Sequence, residues 1–559
     1  MNNFRQAIKN IPEICARQGV KYAVICPGSR NAPLILAFTE HVDIECISIT
    51  DERSAAYFAL GIAQATENPV ALICTSGTAA LNFAPAIAEA YYQGLPLTVF
   101  TADRPRDFID KADGQTIRQQ NVFANFVKRS FELPDDTEKQ EDLLFSDLLV
   151  SQAIDVTRTF PRAPVHINVP LREPLYAPLP EAHTNPKIIR TLRSKTTFDE
   201  NSEILIDLQK FSKKMLVFGV LPKNNELAEI AAQLAEYEDF VVISENLSNI
   251  CGVKIITQPE TLFARINAMK PAEQLSFAPE LLITVGQNAI SKQLKIFLRN
   301  HKPLEHWQLH CPLPYADTYD SLTRIIDFEQ EIVSSFLLAI TKKEHSTVTF
   351  SSPFFCELKT VQERHEQIIG SQELSDMTAV NVLLKNIPEN TNLQLANSTA
   401  VRWTQLFPAK PTVKYLCNRG VSGIDGSVST AAGYAFVTNE NTVLLTGDLA
   451  FIYDSNALWN NYLSKKFKII VLNNNGGNIF KNIANHETIA RCEDFFTTPH
   501  NVQIKHLAAA FCVDYLLCNE FSDLECKIIE LLKNDKCSVL EIVTDSEINT
   551  ENYLKYFEF

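Results

Sequence analysis

The 559-residue sequence has no apolar run long enough to cross a membrane: its most apolar stretches, residues 70–74 and 468–472, fall far below the ~18 residues that a span needs. It shows no basic segment followed by an apolar core at its start, where MNNFRQAIKNIPEICARQGV reads as an amphipathic helix with scattered charges, so neither secretion nor membrane insertion is expected. No CxxC pair occurs. The thirteen cysteines are odd in number and scattered, which argues against a disulfide framework or a zinc ribbon and makes the cytoplasm the expected compartment. Positive charge is short as well: 51 Lys+Arg against 66 Asp+Glu leave a net charge of −15, so the chain offers no general attraction to nucleic acid or an anionic membrane. An anionic ligand must be met by cations or backbone N–H groups arranged locally. HExxH spacing among the eleven histidines, GxGxxG, a Walker-type loop, short repeats and low-complexity tracts are missing too.

What is present is an ordinary globular composition, 46% hydrophobic, on a chain with room for about three to five domains. From residue 3 to 101 helices and strands alternate: a helix to about Gln18, strands at 22–26, 44–49, 70–74 and 96–101, and helices after Asn31, at 52–66 and at 78–92. Such alternation predicts a parallel α/β sheet. The proline-dense segment PRAPVHINVPLREPLYAPLPEAHTNP reads as a linker rather than a regular element and sets a boundary near residue 185. A second alternation has strands at 215–220, 240–244 and 281–286 and a helix at 225–237. Residues 341–376 are mixed and helical in character. A third alternation has strands at 393–396, 442–445, 469–472 and 538–543. The expectation is three α/β domains, at 1–185, 186–345 and 346–559.

Chemistry concentrates in TGDLAFIYDSNALWNNYLSKKFKIIVLNNNGGNIF, residues 446–480. One strand ends in Gly447-Asp448, a helix follows, and the next strand ends in Asn473-Asn474-Asn475 before two glycines. Both polar ends lie at the carboxyl edge of a parallel sheet, where open α/β sheets bind ligands. A carboxylate, an amide oxygen and a glycine carbonyl form a partial all-oxygen shell that suits Mg²⁺ and leaves positions for water and two phosphate oxygens. Either half alone is read as a turn; the two at one helix's separation point to a metal.

GD, one helix and then NN resembles the diphosphate motif of thiamine diphosphate enzymes of the decarboxylase and synthase type. Leu449 after the GD points within that group to the menaquinone-pathway 2-succinyl-5-enolpyruvyl-6-hydroxy-3-cyclohexene-1-carboxylate synthases. So do CPGSRNAPL at 26–34, TADRPRD at 101–107, GQTIRQQ at 114–120 and NRGVSGIDGSVSTAAGYA at 418–435. The resemblance implies three doubly wound parallel-sheet α/β domains of the thiamine diphosphate-binding type, with thiamine diphosphate and Mg²⁺ or Mn²⁺ as cofactors. Asp448, Asn474 and the carbonyl of Gly476 are the implied metal ligands, and Asn475 with Gly477 is a frame-shifted alternative left open.

By the same resemblance Glu52 would hold N1′ of the aminopyrimidine and favour the tautomer that removes the C2 proton. Outside that context Asp51-Glu52 reads as a helix-start acid pair. Thr78 in SGTAALN would lie near the pyrimidine, and Asn397, Ser398, Ser422, Gly423, Leu449, Ala450 and Ile479 would surround the cofactor, Ala450 standing where relatives often carry Ser. Ile424 would support the bent cofactor from beneath. Ser29, Arg30, Arg104, Gln115, Lys292, Arg402, Arg419 and Phe480 are the implied substrate contacts, since guanidinium groups match carboxylates bidentately. Gln115 joins Glu52 as an implied catalytic residue.

The implied reaction decarboxylates 2-oxoglutarate and adds the resulting succinyl-semialdehyde enamine in 1,4 fashion to isochorismate. The implied assembly is a homodimer or a dimer of dimers, Glu52 and Asp448 of one site coming from different subunits. The runner-up is another thiamine diphosphate lyase, such as a 2-oxoacid decarboxylase or an acetolactate-type synthase. From a different class, a non-catalytic ligand-sensing scaffold is the alternative.

Overall fold

The computed structural model describes residues 5–135, 139–180, 185–189, 191–192, 197–200, 202–313, 315–327, 329–370, 373–482 and 491–559. Short apolar runs bounded by turn residues become buried strands, as VALIC at Val70–Cys74 does with every residue buried. The first sheet contains β1 (Tyr22–Ile25), β2 (Glu45–Ser48), β3 (Val70–Cys74), β4 (Leu97–Asp103), β5 (Arg129–Glu132) and β6 (Val165–Pro170). They run parallel in the order β2-β1-β3-β4-β6-β5. The middle sheet, of β7 (Lys214–Phe218), β8 (Phe240–Ile243), β9 (Leu281–Val285), β10 (Glu305–Leu309) and β11 (Arg324–Ile326), is parallel in the order β11-β10-β9-β7-β8.

The third sheet contains β12 (Asn392–Leu395), β13 (Lys414–Cys417), β14 (Thr442–Gly447), β15 (Phe467–Asn473), β16 (Asp514–Cys518) and β17 (Ser538–Val543). Its parallel order, β13-β12-β14-β15-β17-β16, repeats that of the first sheet. The fold class is thus α/β throughout, as the alternation predicts.

Strands β5, β10, β11, β13 and β16 lie outside the expected elements, and two expected segments differ. The proline-dense segment is not all linker: VHINVP forms β6, fully buried between β4 and β5. Its prolines permit this because Pro164 precedes the strand and Pro170 ends it, so neither removes a donor from the ladder's interior. The single helix expected at 78–92 is two, Thr78–Asn82 and Ala84–Gln93, with Pro85 in the first turn of the second, where its missing N–H costs nothing.

The first and third units share one core. Helix Glu52–Thr66 crosses helix Ser427–Val437 so closely that a Cβ on Gly61 would lie 2.0 Å from the Thr430 carbonyl oxygen, and one on Gly433 2.0 Å from that of Phe58. The helix Ser352–Ile369 bridges the other two units: Phe354 sits in the middle unit's core, while Ile368 and Ile369 pack against the third's.

Candidate active site

At the carboxyl edge of the third sheet, Asp448 begins helix Asp448–Tyr453 directly after β14 and is 2% exposed. Its Oδ1 accepts the Leu449 N–H at 2.7 Å, and its Oδ2 accepts the Gly476 N–H at 2.8 Å. The Nε2 of His500 lies 3.2 Å from the same Oδ2. Burial pushes this carboxyl up from its ordinary value, and those donors oppose the push. Asn474, 4% exposed, donates from Nδ2 to Asp376 Oδ2 at 2.9 Å, while its buried Oδ1 has no partner among the described residues. An orphaned buried amide oxygen carries a desolvation cost that a cation would remove. Gly476 is required as glycine: its φ is 139°, and a Cβ would meet the Thr497 carbonyl oxygen at 2.5 Å. Asn475, by contrast, is exposed and takes the His500 N–H on its Oδ1 at 3.2 Å. The donor set of Asp448, Asn474 Oδ1 and the Gly476 carbonyl is hard oxygen throughout and fits Mg²⁺.

Beside this edge lies the loop of residues 418–426, tied down by Asn397. The Nδ2 of Asn397 donates to the carbonyls of Asn418 at 2.7 Å and Gly423 at 2.8 Å, and its Oδ1 accepts from Arg419 Nη1 at 2.9 Å. Ser398 and Ser422 both take positive φ, 74° and 64°. Ile424 packs half-buried against the third unit's core. Leu449 is half-buried beside Asp448, whereas Ala450 is buried within that core, leaving its backbone as what it can offer a ligand. Ile479 and Phe480 are half-buried in the turn Asn478–Phe480, and the Phe480 ring meets Phe496 edge-on at 5.6 Å.

In the first unit Glu52 is the first residue of its helix, behind Asp51, whose Oδ1 caps the Ser54 N–H at 3.0 Å. The residues around it are spoken for: Asp51 Oδ2 accepts from Asn456 Nδ2 at 2.7 Å, Arg53 Nη2 donates to the Tyr453 carbonyl at 2.7 Å, and Ser54 meets the Ser429 hydroxyl at 2.9 Å. Glu52 itself has no hydrogen-bond partner among the described residues, and its charge helps raise the buried thiols of Cys26 and Cys74 at the ends of β1 and β3. Its carboxylate therefore lies over the carboxyl edge of the first sheet.

Arg30 and Arg104 come together at that edge. Arg30 is 8% exposed, donates from Nη1 to the Leu171 carbonyl at 2.8 Å and keeps a buried Nε with no partner among the described residues. Burial and the neighbouring Arg104 charge lower its guanidinium. Arg104 pairs through Nε with Asp113 at 2.6 Å and donates from Nη2 to the Gly114 carbonyl at 2.5 Å. Ser29, Thr78 and Gln115 are exposed, Gln115 with φ 53°. Gln119 joins the start of helix Thr78–Asn82 to the end of β4, accepting the Gly77 N–H on Oε1 at 2.8 Å and donating from Nε2 to the Ala102 carbonyl at 3.1 Å.

Between the middle and third units the expected Lys292 stands exposed at the start of helix Lys292–Asn300. One turn on, half-buried Lys295 feels the charges of Arg419, Arg299 and Arg402. Burial lowers its ammonium first, Glu245 opposes, and those guanidinium groups add to the lowering. Lys295 and His500, which neighbour expected site residues, are candidates that the sequence does not mark. Helical spacing from Lys292 could have suggested the former; nothing local marks the latter. A separate cavity of about 310 Å³, lined in part by Gln93, Phe160, Gln287 and His310, contains none of the expected site residues.

Among the described residues no helix is long and apolar enough to cross a membrane. Residues 6–125 match the family described as thiamine pyrophosphate enzyme, N-terminal TPP binding domain, and residues 397–542 match its C-terminal TPP binding domain. The chain is also similar over nearly its whole length to bacterial proteins named 2-succinyl-5-enolpyruvyl-6-hydroxy-3-cyclohexene-1-carboxylate synthase. That of Flavobacterium psychrophilum is 38% identical over 558 residues, covering 98% of each chain. Those of Flavobacterium johnsoniae and Phocaeicola vulgatus are 37% and 36% identical, again with 98% of each chain covered.

Proposed function

Because the chain belongs to the family of thiamine diphosphate-dependent 2-succinyl-5-enolpyruvyl-6-hydroxy-3-cyclohexene-1-carboxylate synthases, we propose that it decarboxylates 2-oxoglutarate and joins the remaining four-carbon unit to isochorismate, a step of menaquinone biosynthesis. Bound thiamine diphosphate supplies the carbon nucleophile and the electron sink that carbon dioxide loss requires. The protein's residues do the rest.

Glu52, with no hydrogen-bond partner among the described residues and placed over the sheet edge, would hold a proton against the aminopyrimidine N1′ and so favour the reactive tautomer. Asp448, Asn474 Oδ1 and the Gly476 carbonyl hold Mg²⁺, and Mn²⁺ fits the same oxygens. Asn397, Ser398, Ser422 and Gly423 cradle the diphosphate with N–H and hydroxyl donors, and Ile424 supports the rings without adding a polar group. Arg30, Arg104, Arg402 and Arg419, joined by Lys292 or Lys295, neutralise the substrates' carboxylates in an otherwise acidic protein. Ser29, Gln115 and Phe480 would contact the substrates, where the reaction requires water to be excluded. A complete site takes the first unit of one chain and the third unit of another, which makes a homodimer the working form.

The single observation carrying the cofactor assignment is the buried, unpartnered Asn474 Oδ1 beside Asp448. The test is carbon dioxide release with thiamine diphosphate, Mg²⁺ and 2-oxoglutarate, with and without isochorismate. Release that depends on isochorismate and consumes it is expected. Release from pyruvate alone would move the protein to the decarboxylases or acetolactate-type synthases.

A further inference from the structure

Glu89 lies outside every motif discussed above, yet it is 1% exposed and reaches across two units. It projects from helix Ala84–Gln93 of the first unit into the third unit's loop. Its Oε1 accepts the Gly420 N–H at 2.6 Å and its Oε2 accepts the Val421 N–H at 2.7 Å. The Ser422 N–H also bonds to it, and Gln93 Nε2 donates to Oε1 at 2.5 Å. Three successive N–H groups converging on one carboxylate form an anion nest whose anion is built into the chain. Burial pushes the Glu89 carboxyl up, and these donors oppose it.

The approach is as tight as backbone allows. A Cβ on Gly420 would fall 2.5 Å from the Glu89 carbonyl oxygen and 3.0 Å from its Oε1, so only glycine admits the helix here. The far end of the loop is pinned by the same unit: Tyr57 Oη donates to Asp425 Oδ2 at 2.9 Å, and a Cβ on Gly426 would lie 2.1 Å from the Tyr57 ring. Between these anchors Val421 and Ser422 remain exposed.

We propose that Glu89 is a positioning residue: its carboxylate fixes the peptide planes of residues 420–422, so that Arg419 meets the substrate carboxylate and residues 422–424 meet the cofactor in one set geometry. Without the anion, three N–H dipoles aimed at one point repel one another and the loop has no reason to hold the positive φ of Ser422. The proposal rests on the reading of that loop given above.

Glu89→Gln preserves size and helix but turns one acceptor into a donor facing the nest. The expected result is a loss of about tenfold or more in thiamine diphosphate affinity, read by equilibrium titration, and a similar rise in KM for 2-oxoglutarate, with the melting temperature near wild type. A lowered melting temperature with unchanged affinity and KM would make the residue merely structural and overturn the proposal. Should the variant not fold, hydrogen exchange in the cofactor-free wild type decides: the amides of Gly420 and Val421 should be slow, and fast exchange would overturn it equally. A wild type that binds no thiamine diphosphate would sink the functional reading and this proposal with it, whereas a variant with unchanged affinity and KM beside a binding wild type would sink this proposal alone.

Discussion

Asn474 and Asp376 are joined by a 2.9 Å hydrogen bond in which the amide N–H donates, and that bond turns the amide's Oδ1 to a buried position with no partner among the described residues. Asp376 is itself held, accepting from the Thr544 hydroxyl at 2.7 Å, with burial pushing its carboxyl up to about 6. Of the two frames that the run of three asparagines leaves open, the bond favours the proposed one with Asn474, since Asn475 is exposed and its Oδ1 already accepts the His500 N–H.

The expected consequence is a sharp contrast between neighbours. Asn474→Ala should weaken Mg²⁺-dependent cofactor binding beyond detection, whereas Asn475→Ala should stay near wild type. Asp376→Ala, which frees the Asn474 amide to flip, should cost about 10- to 100-fold in metal affinity, as the loss of a group that orients a ligand does. Metal titration of thiamine diphosphate binding checks all three, and equal effects at 474 and 475 would count against the assigned frame.

Glu52 yields a second prediction. Glu52→Gln should still bind thiamine diphosphate and Mg²⁺, because no residue of the diphosphate cradle touches it, but should slow C2 proton exchange of the bound cofactor by about 10²- to 10⁴-fold. Exchange followed by NMR after rapid quenching is the readout. An unchanged rate would remove Glu52 from the reaction.

Much of this architecture is legible in the residues. The helix Glu52–Thr66 and the strands Val70–Cys74 and Ser538–Val543 fall where expected, because each is an uninterrupted pattern between turn residues. β6 escapes because proline is read as a breaker while its actual position, flanking and ending the strand, depends on the ladder. β16 escapes for the opposite reason: an edge strand whose residues are mostly half-buried carries no clean period. Among the candidate site residues, Asp448 and Asn474 stand at strand ends where the pattern puts them, because strand ends are local. Glu89, Lys295 and His500 are not so marked, because each acts through a partner more than fifty residues away or in another unit.

The glycine pair of the shared core is the third test. Gly61→Ala and Gly433→Ala each drive a methyl against backbone, which cannot rotate away as a side chain does. The cost should reach or exceed the ~1–3 kcal/mol typical of overpacking. Since Glu52 opens the helix that contains Gly61, lost stability should come with weakened cofactor binding. Calorimetry with a parallel binding titration tests this, and a melting temperature unchanged in both variants would mean that the helices do not meet as described.

The last prediction concerns pH and His166, fully buried between β4 and β5. Its Nε2 lies 2.7 Å from the Thr101 hydroxyl, which donates its own hydrogen to Asn168 Oδ1 at 3.0 Å. Nε2 must therefore carry the ring's proton, leaving Nδ1 bare, buried and without an acceptor for a second one. Burial accordingly pushes the imidazole down to about 3. An imidazole lowered in the folded state stays neutral there while the unfolded chain takes up a proton below its ordinary value of about 6.5. Stability is thus unaffected by this group above that pH and declines as pH falls from about 6.5 toward 3, by at most ~1.4 kcal/mol per unit. His166→Leu forfeits the Thr101 bond at every pH but lacks this slope. Its deficit against wild type should therefore be largest above pH 7 and shrink steadily toward pH 4.5 in urea unfolding, and a gap independent of pH would show that the ring titrates alike in both states.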